Sequence, residues 1–228
     1  MEKYLLFENL EKSISRDRLE HYSKIFSIND KKIIIQKYLL NVALSKSLYF
    51  PLQTFETTLR NSIHIALSDK LNNEFWFDDE NFLTPRLRAK IDEAKNKIDK
   101  SKALTTGRII SELSFGFWTY LLGKEYEQKI WNKYVKLIFP NIPKNMAVRK
   151  KLAARINTIR NLRNKIFHFD TIVDIKNLFE IHQEILDFIY WLNKDIYKLT
   201  CLFDEFENVY KNEEKIIEIK LNDLSKDN

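Results

Sequence analysis

The sequence predicts an all-α fold, on three observations. Apolar residues recur at i, i+3, i+4 and i+7 along almost every segment, and no stretch alternates as a half-buried strand must. Only 3 Gly and 4 Pro occur in 228 residues, too few for a chain of short hairpins or a Gly-rich nucleotide-binding fold. Hydrophobic residues make up 44% and aromatic residues 13%, which excludes a disordered chain and supplies a real core. The length suits one domain, so the expected organisation is a single helical bundle over residues 1–202, its core within about 30–200, followed by an acidic tail over 203–228.

Each element has a local reason. Residues 16–26 form a first amphipathic helix, and Asp30 caps a second through Ile33, Ile34, Tyr38, Leu39, Val42 and Ala43. Pro51 kinks or restarts that helix, after which Leu52, Phe55, Leu59, Ile63, Ala66, Leu67 and Leu71 keep one apolar face for about five turns. Residues 72–83 read as a loop. Thr84-Pro85 reads as an N-cap followed by proline at the first helical position, opening a helix to about residue 100. Thr105 or Thr106 caps a helix through Ile109, Leu113, Phe117 and Leu121, and Gly123 stops it. Another helix covers 126–139 and ends at Pro140 and Pro143. Long helices over 146–167 and 172–202 complete the core, and the remaining residues read as a partly ordered acidic tail.

The single cysteine, Cys201, excludes an intrachain disulfide and a thiolate metal cluster. The first eight residues carry acids where a signal peptide needs a basic start, and no apolar run approaches the ~18 residues of a membrane span. A cytoplasmic protein without a membrane partner is expected.

The charge is unevenly placed. The total is +6, yet residues 144–169 alone carry +8, from Lys144, Arg149, Lys150, Lys151, Arg155, Arg160, Arg163 and Lys165, with no Asp or Glu among them. Residues 201–228 carry −4. A basic helix without acids is the electrostatic footprint of a polyanion site, and arginine suits phosphate through bidentate hydrogen bonds. Nucleic acid is the leading partner, with Arg149, Lys150, Lys151, Arg155, Arg160 and Lys165 as candidate RNA contacts. The plainer alternative is the solvated face of a Lys-rich protein.

Within that run stands Arg160-Asn161-Leu162-Arg163-Asn164-Lys165-Ile166-Phe167-His168. On a regular helix Arg160, Arg163, Asn164, Phe167 and His168 fall within an arc of about 140°, so one face gathers two cations, an amide and an imidazole. Arg163 and His168 lie at opposite flanks of that arc. Aiming both at one atom needs a helix break near His168 or a second copy of the chain. The chemistry such a set can run is metal-independent RNA cleavage, with histidine moving the proton of a ribose 2′-OH or of the leaving 5′-oxygen and arginine holding the scissile phosphate. The alternative is that His168 caps a helix end and the arginines pair with acids elsewhere.

Arg163-Asn164-Lys165-Ile166-Phe167-His168 matches the Arg-polar-x3-His signature of HEPN domains, all-α modules found in many prokaryotic defence and toxin ribonucleases. Its setting, Ile159 to His168, resembles the corresponding block of the Abi-like (abortive infection, AbiD and AbiF type) proteins, as do Phe55-Glu56-Thr57-Thr58-Leu59-Arg60-Asn61 and Leu113-Ser114-Phe115-Gly116-Phe117-Trp118. The resemblance spans roughly residues 49–170. After the motif histidine this chain has Phe169-Asp170-Thr171 where the family often has His-His-Glu. The resemblance implies a HEPN-like bundle of a bacterial abortive-infection or toxin-antitoxin system, acting as an endoribonuclease. Arg163, Asn164 and His168 would then be the catalytic set of a homodimer whose two motifs meet in an interfacial cleft. It further implies 2′-OH attack leaving a 2′,3′-cyclic phosphate, without metal or other cofactor, and for a toxin an antitoxin of protein or RNA. A rival of another class is a non-catalytic RNA-binding module using the same basic groove, and a third is a protein-interaction component.

Glu56, Arg60 and His64 recur every four residues and share a helix face with Asn61 nearby. Two arrangements are open: a structural Glu56–Arg60 ion pair, or a second layer around the site with Glu56 against Arg163 or Arg160. The four histidines, His21, His64, His168 and His182, are not spaced for a metal site on one helix. Phe115, Phe117 and Trp118 read as packing, with Gly116 permitting close helix approach, and stacking on unpaired bases is the alternative for these aromatics.

Overall fold

A computed structural model describes residues 2–224 of the chain, which are all-α, with no strand among the described residues. The helices are α1 (Glu2–Ile14), α2 (Arg16–Phe26), α3 (Lys31–Leu71), α4 (Pro85–Lys97), α5 (Thr106–Glu112), α6 (Phe115–Tyr120), α7 (Asn132–Ile138), α8 (Arg149–Phe167), α9 (Leu178–Leu192), α10 (Lys194–Phe203) and α11 (Phe206–Leu224). Short 3-10 turns cover Trp76–Asp78 and Lys124–Tyr126, and a π-helical turn covers Glu127–Trp131.

Helix α2 has the expected bounds, and Asp30 caps α3 by accepting from the amides of Lys32 (2.8 Å) and Ile33 (3.1 Å). Helix α3 then runs unbroken through Pro51 for 41 residues, about 60 Å. A proline inside a helix costs about 3 kcal/mol, and burial on both sides of it offsets that: Leu44, Leu48, Leu52, Phe55, Leu59 and Ile63 are all buried. Two expected helices are divided. Leu113 is extended between α5 and α6, and Asn193 separates α9 from α10 by accepting from the amides of Asp195 and Ile196 at 2.9 and 3.0 Å. The expected helix over residues 126–139 is regular only in α7.

The chain divides into two compact units. The first draws on Met1–Phe50, Asn164–His182 and Phe203–Asn228, and the second on Pro51–Arg163 and Gln183–Leu202.

In the first unit, Leu19, Tyr22, Ile34 and Ile35 form a core joined by Tyr38, Val173 and Leu221. The segment read as an acidic tail is the packed helix α11, except that residues 225–228 lie outside the described residues. Phe206 and Ile217 are buried, the Gln36 amide donates to the Glu214 carbonyl (3.1 Å), and Lys37 pairs with the Glu214 carboxylate. A charge count does not reveal this, because Phe206, Val209, Ile217 and Leu221 lie along one side of α11 and are buried or half-buried, while most of its charged residues face solvent. Buried His182 meets Asp204 at 2.6 Å and stacks on Phe206 with centroids 4.3 Å apart, and Asp204 also accepts from the Phe206 amide at the start of α11.

The second unit is built on aromatic rings. Phe55 packs on Phe115 and Phe188, Phe139 on Phe188, and Trp76 on Trp118. The buried Trp76 indole donates to Nδ1 of His64 at 3.1 Å, which assigns the proton of His64 to Nε2, and burial holds this histidine below its ordinary pKa. Phe115, Phe117 and Trp118 are buried, in keeping with packing. Gly116 is not required for close approach, since a Cβ there would meet only the Ser114 hydroxyl at 3.6 Å. Gly123 is required: a Cβ there would lie 2.9 Å from the Tyr120 carbonyl oxygen.

Gly123→Ala is therefore expected to destabilise the protein by on the order of 1–3 kcal/mol in urea denaturation, where Gly116→Ala changes little. His64 adds a pH dependence. With its folded pKa below 6.5, the unfolded chain takes up the proton first, so the stability it contributes is lost as pH falls below about 6.5. Urea midpoints measured at about pH 7.5 and 5.5 should fall less for His64→Gln, which keeps an acceptor but cannot charge, than for the wild type.

Candidate nucleic-acid interface

Helix α8 carries both the basic run and the motif. Leu152, Ile156, Ile159, Leu162 and Ile166 repeat at three- and four-residue steps and are all buried, which turns Lys150, Lys151, Asn157, Asn161, Asn164 and Lys165 to solvent. Ala153, Ala154 and the unbranched cations favour the helix.

The cations are not equivalent. Arg149 Nε lies 3.1 Å from Glu127 Oε2. Arg155 donates to Glu184 (2.9 Å) and Asp187 (3.2 Å), and its guanidinium lies over Phe188 and Trp191, 5.3 and 5.0 Å from the ring centroids. These two arginines are bound into the second unit. Arg160 donates to Asn157 Oδ1 at 2.6 Å, and its buried Nε has no acceptor among the described residues. Arg160 has no carboxylate partner there either. Lys150 and Lys151 are exposed, and Lys165 reaches the Thr171 carbonyl at 3.5 Å.

Of the arrangements open for Glu56, the structure selects the pair with Arg163: Nε donates to Glu56 Oε2 at 3.1 Å, each side chain about a quarter exposed at 26%. Arg60 turns instead to Asn61 Oδ1 at 3.3 Å. Arg163, Glu56, Arg60 and Asn61 belong to the second unit, and Asn164 and His168 to the first. Both Asn164 and His168 are exposed.

The helix break suggested by the motif's geometry falls at His168. Regular helix ends at Phe167, and the amide of His168 donates to the Asn164 carbonyl at 3.0 Å. Phe169 adopts φ 58°, in the left-handed region, its amide donating to Ile166 (3.1 Å) while the Asp170 amide reaches back to Lys165 (2.8 Å). This pair of bonds is a Schellman motif with His168 as its C-cap, built with phenylalanine where glycine is usual.

Two further residues, both missed in the sequence, fix this turn. Arg18 of α2 donates to the Phe169 carbonyl at 3.2 Å. Asn41 of α3, only 5% exposed, accepts from the amides of Ile172 (2.7 Å) and Val173 (3.1 Å) and donates to the Asp170 carbonyl (3.3 Å). The signal for Asn41 is its register: Ile34, Tyr38, Asn41, Ser45 and Leu48 share one helix face, and an amide among apolar residues needs backbone partners.

Among the described residues, no group of three or more His, Cys, Asp or Glu side chains is placed to hold a metal ion, and no helix is long and apolar enough to cross a membrane. Comparison of the chain with protein-family models, with curated proteins and with solved structures finds no match in any of the three.

Asn41→Ala would strip three backbone groups of their partner, two of them amides that water reaches poorly. A loss on the order of 2–4 kcal/mol is expected in urea denaturation, with faster amide hydrogen exchange at Ile172 and Val173 than in wild type.

Proposed function

We propose that the protein is a HEPN-type endoribonuclease that acts as a cytoplasmic homodimer in a bacterial abortive-infection or toxin-antitoxin system and cleaves RNA without metal. The observation that carries the reading is His168, an exposed imidazole at the end of a helix whose every charge is positive, five residues beyond an arginine oriented by a carboxylate. In this mechanism an imidazole takes the proton of the ribose 2′-OH and the 2′-oxygen attacks phosphorus. The bond to the 5′-oxygen breaks, and that oxygen takes a proton, leaving a 2′,3′-cyclic phosphate and a 5′-hydroxyl. One histidine per chain supplies one of the two proton transfers, and the partner copy's supplies the other. Asn164 orients the reacting groups by hydrogen bonding.

The arginines divide the remaining work. Glu56 fixes the direction of Arg163 and offsets its charge, which suits a positioned donor to a phosphate oxygen that gains charge in the transition state. Arg160 has no carboxylate among the described residues and is the stronger anchor for a ground-state phosphate, together with Lys150, Lys151 and Lys165. Arg149 and Arg155, each already ion-paired, contribute less to binding than their charge suggests.

The test is incubation of wild type, His168→Ala, Arg163→Ala and Arg160→Ala with end-labelled single-stranded RNA and transfer RNA in EDTA. Wild type is expected to yield cyclic-phosphate ends, and His168→Ala to lose cleavage by at least about a hundredfold while retaining RNA. Arg160→Ala should mainly weaken binding, and Arg163→Ala mainly turnover. Undiminished cleavage by His168→Ala would remove histidine from the mechanism. RNA retained by every variant and cut by none would leave a binding module.

A further inference from the structure

We propose that the groove beside Phe169 in the first unit is a nucleobase site, where an unpaired base of a single-stranded RNA stacks on the Phe169 ring and its phosphates meet Arg18 and Lys46. The inference rests on the RNA reading above and adds to it the part of the substrate that is recognised.

The groove holds about 620 Å³ and is walled by Val42, Tyr49, Phe50, Phe167 and Phe169. Tyr49 and Phe167 lie with centroids 5.7 Å apart and planes 30° from parallel, so one wall is a nearly continuous aromatic surface. Arg18 and Lys46 are the charged residues of the lining, and no carboxylate joins them. An apolar partner needs no such cations, whereas a strand of nucleotides presents flat apolar bases and anionic phosphates together.

Phe169 itself points to a ligand. The residue is 75% exposed, so it contributes little to the core, and its backbone stands at φ 58°. A non-glycine residue in that region costs about 1–2 kcal/mol, and glycine would relieve it. The Schellman bonds, the Arg18 donation and the Asn41 clasp hold the strained turn. What the strain achieves is to hold an aromatic ring in water, one residue beyond His168. Stacking on such a ring is indifferent to base identity, because every base has a π-face.

The experiment uses the full chain in a His168→Ala background, so that bound RNA stays intact. Fluorescence anisotropy compares a fluorescein-labelled ten-nucleotide oligoadenylate with a labelled abasic decamer of equal phosphate count. Phe169→Ala is expected to weaken oligoadenylate about tenfold and leave the abasic decamer unchanged, with Phe169→Tyr restoring affinity. Phe169→Gly should lose the same base-dependent affinity while raising the melting temperature, which separates the lost ring from lost folding. Equal oligoadenylate affinity for Phe169→Ala and its parent would overturn the proposal while leaving the ribonuclease reading intact. Equal weakening toward both probes would overturn it too, by making the effect electrostatic. If Phe169→Ala instead abolished self-association in sedimentation with RNA affinity unchanged, the groove would be an interface between copies and not a base site. Absence of RNA binding by the parent would overturn both readings.

Discussion

The clasp of Asn41 on the chain leaving α8 is the interaction on which the candidate site depends. A helix end is a place where carbonyls lose partners and direction becomes negotiable. Here the backbone after His168 must turn sharply and then enter a buried stretch in which Ile172 is fully covered. Asn41 meets both needs with one amide, its oxygen taking the two amides and its nitrogen giving to the carbonyl between turn and core. An aliphatic residue at this point of α3 would pack as well and fix nothing. The clasp converts a position on a long helix into the path of the loop that follows the motif.

The arginines of α8 show how little a charge count says about binding. Arg149 and Arg155 sit in the same run as Arg160 and Arg163, yet both are tied to carboxylates, and Arg155 is also covered by two aromatic rings. Their stems and planar heads serve packing, a use lysine could not fill. The carboxylates that neutralise them come from elsewhere in the chain, Glu127 before α8 and Glu184 and Asp187 on α9. An all-basic helix is thus partly a helix whose acids are supplied by its neighbours. What is left without a carboxylate among the described residues is narrower: Arg160 and the exposed lysines of α8.

The fold class and most helix starts were legible because they rest on local rules. The bounds of α2, the Asp30 cap, the Thr84-Pro85 start of α4 and the Gly123 stop all follow from residues within a turn of the boundary. The divisions at Leu113 and Asn193 were less legible, since apolar spacing continues across them and only the cap residues mark the breaks. Continuity through Pro51 was hidden for the opposite reason, a local breaker being outweighed by buried leucines on both sides. The order of α11 was obscured by its net charge, although Phe206 and Ile217 stand at core-facing positions. In the candidate site, the place of the motif at the end of a long helix was legible from its apolar spacing. Which carboxylate meets Arg163 was not, because Glu56 is 107 residues away and the choice among partners is made by packing.

The construction of the turn bears on how substitutions within it report on chemistry. His168 is held through its backbone, by the amide bond to Asn164 and the two bonds that straddle it, and its ring makes no hydrogen bond among the described residues. The Asn41 clasp and the Arg18 donation likewise grip backbone atoms of residues 169–173, so the path of the chain is indifferent to the side chains at 168 and 169. Both of those side chains are exposed. Replacing either removes a functional group without removing a support, whereas replacing Asn41 removes the support and leaves the functional groups. Because backbone anchors carry the geometry of this turn, substitutions at 168 and 169 test the proposed roles of those side chains separately from the fold, which substitution of a buried histidine held by its own hydrogen bonds would not.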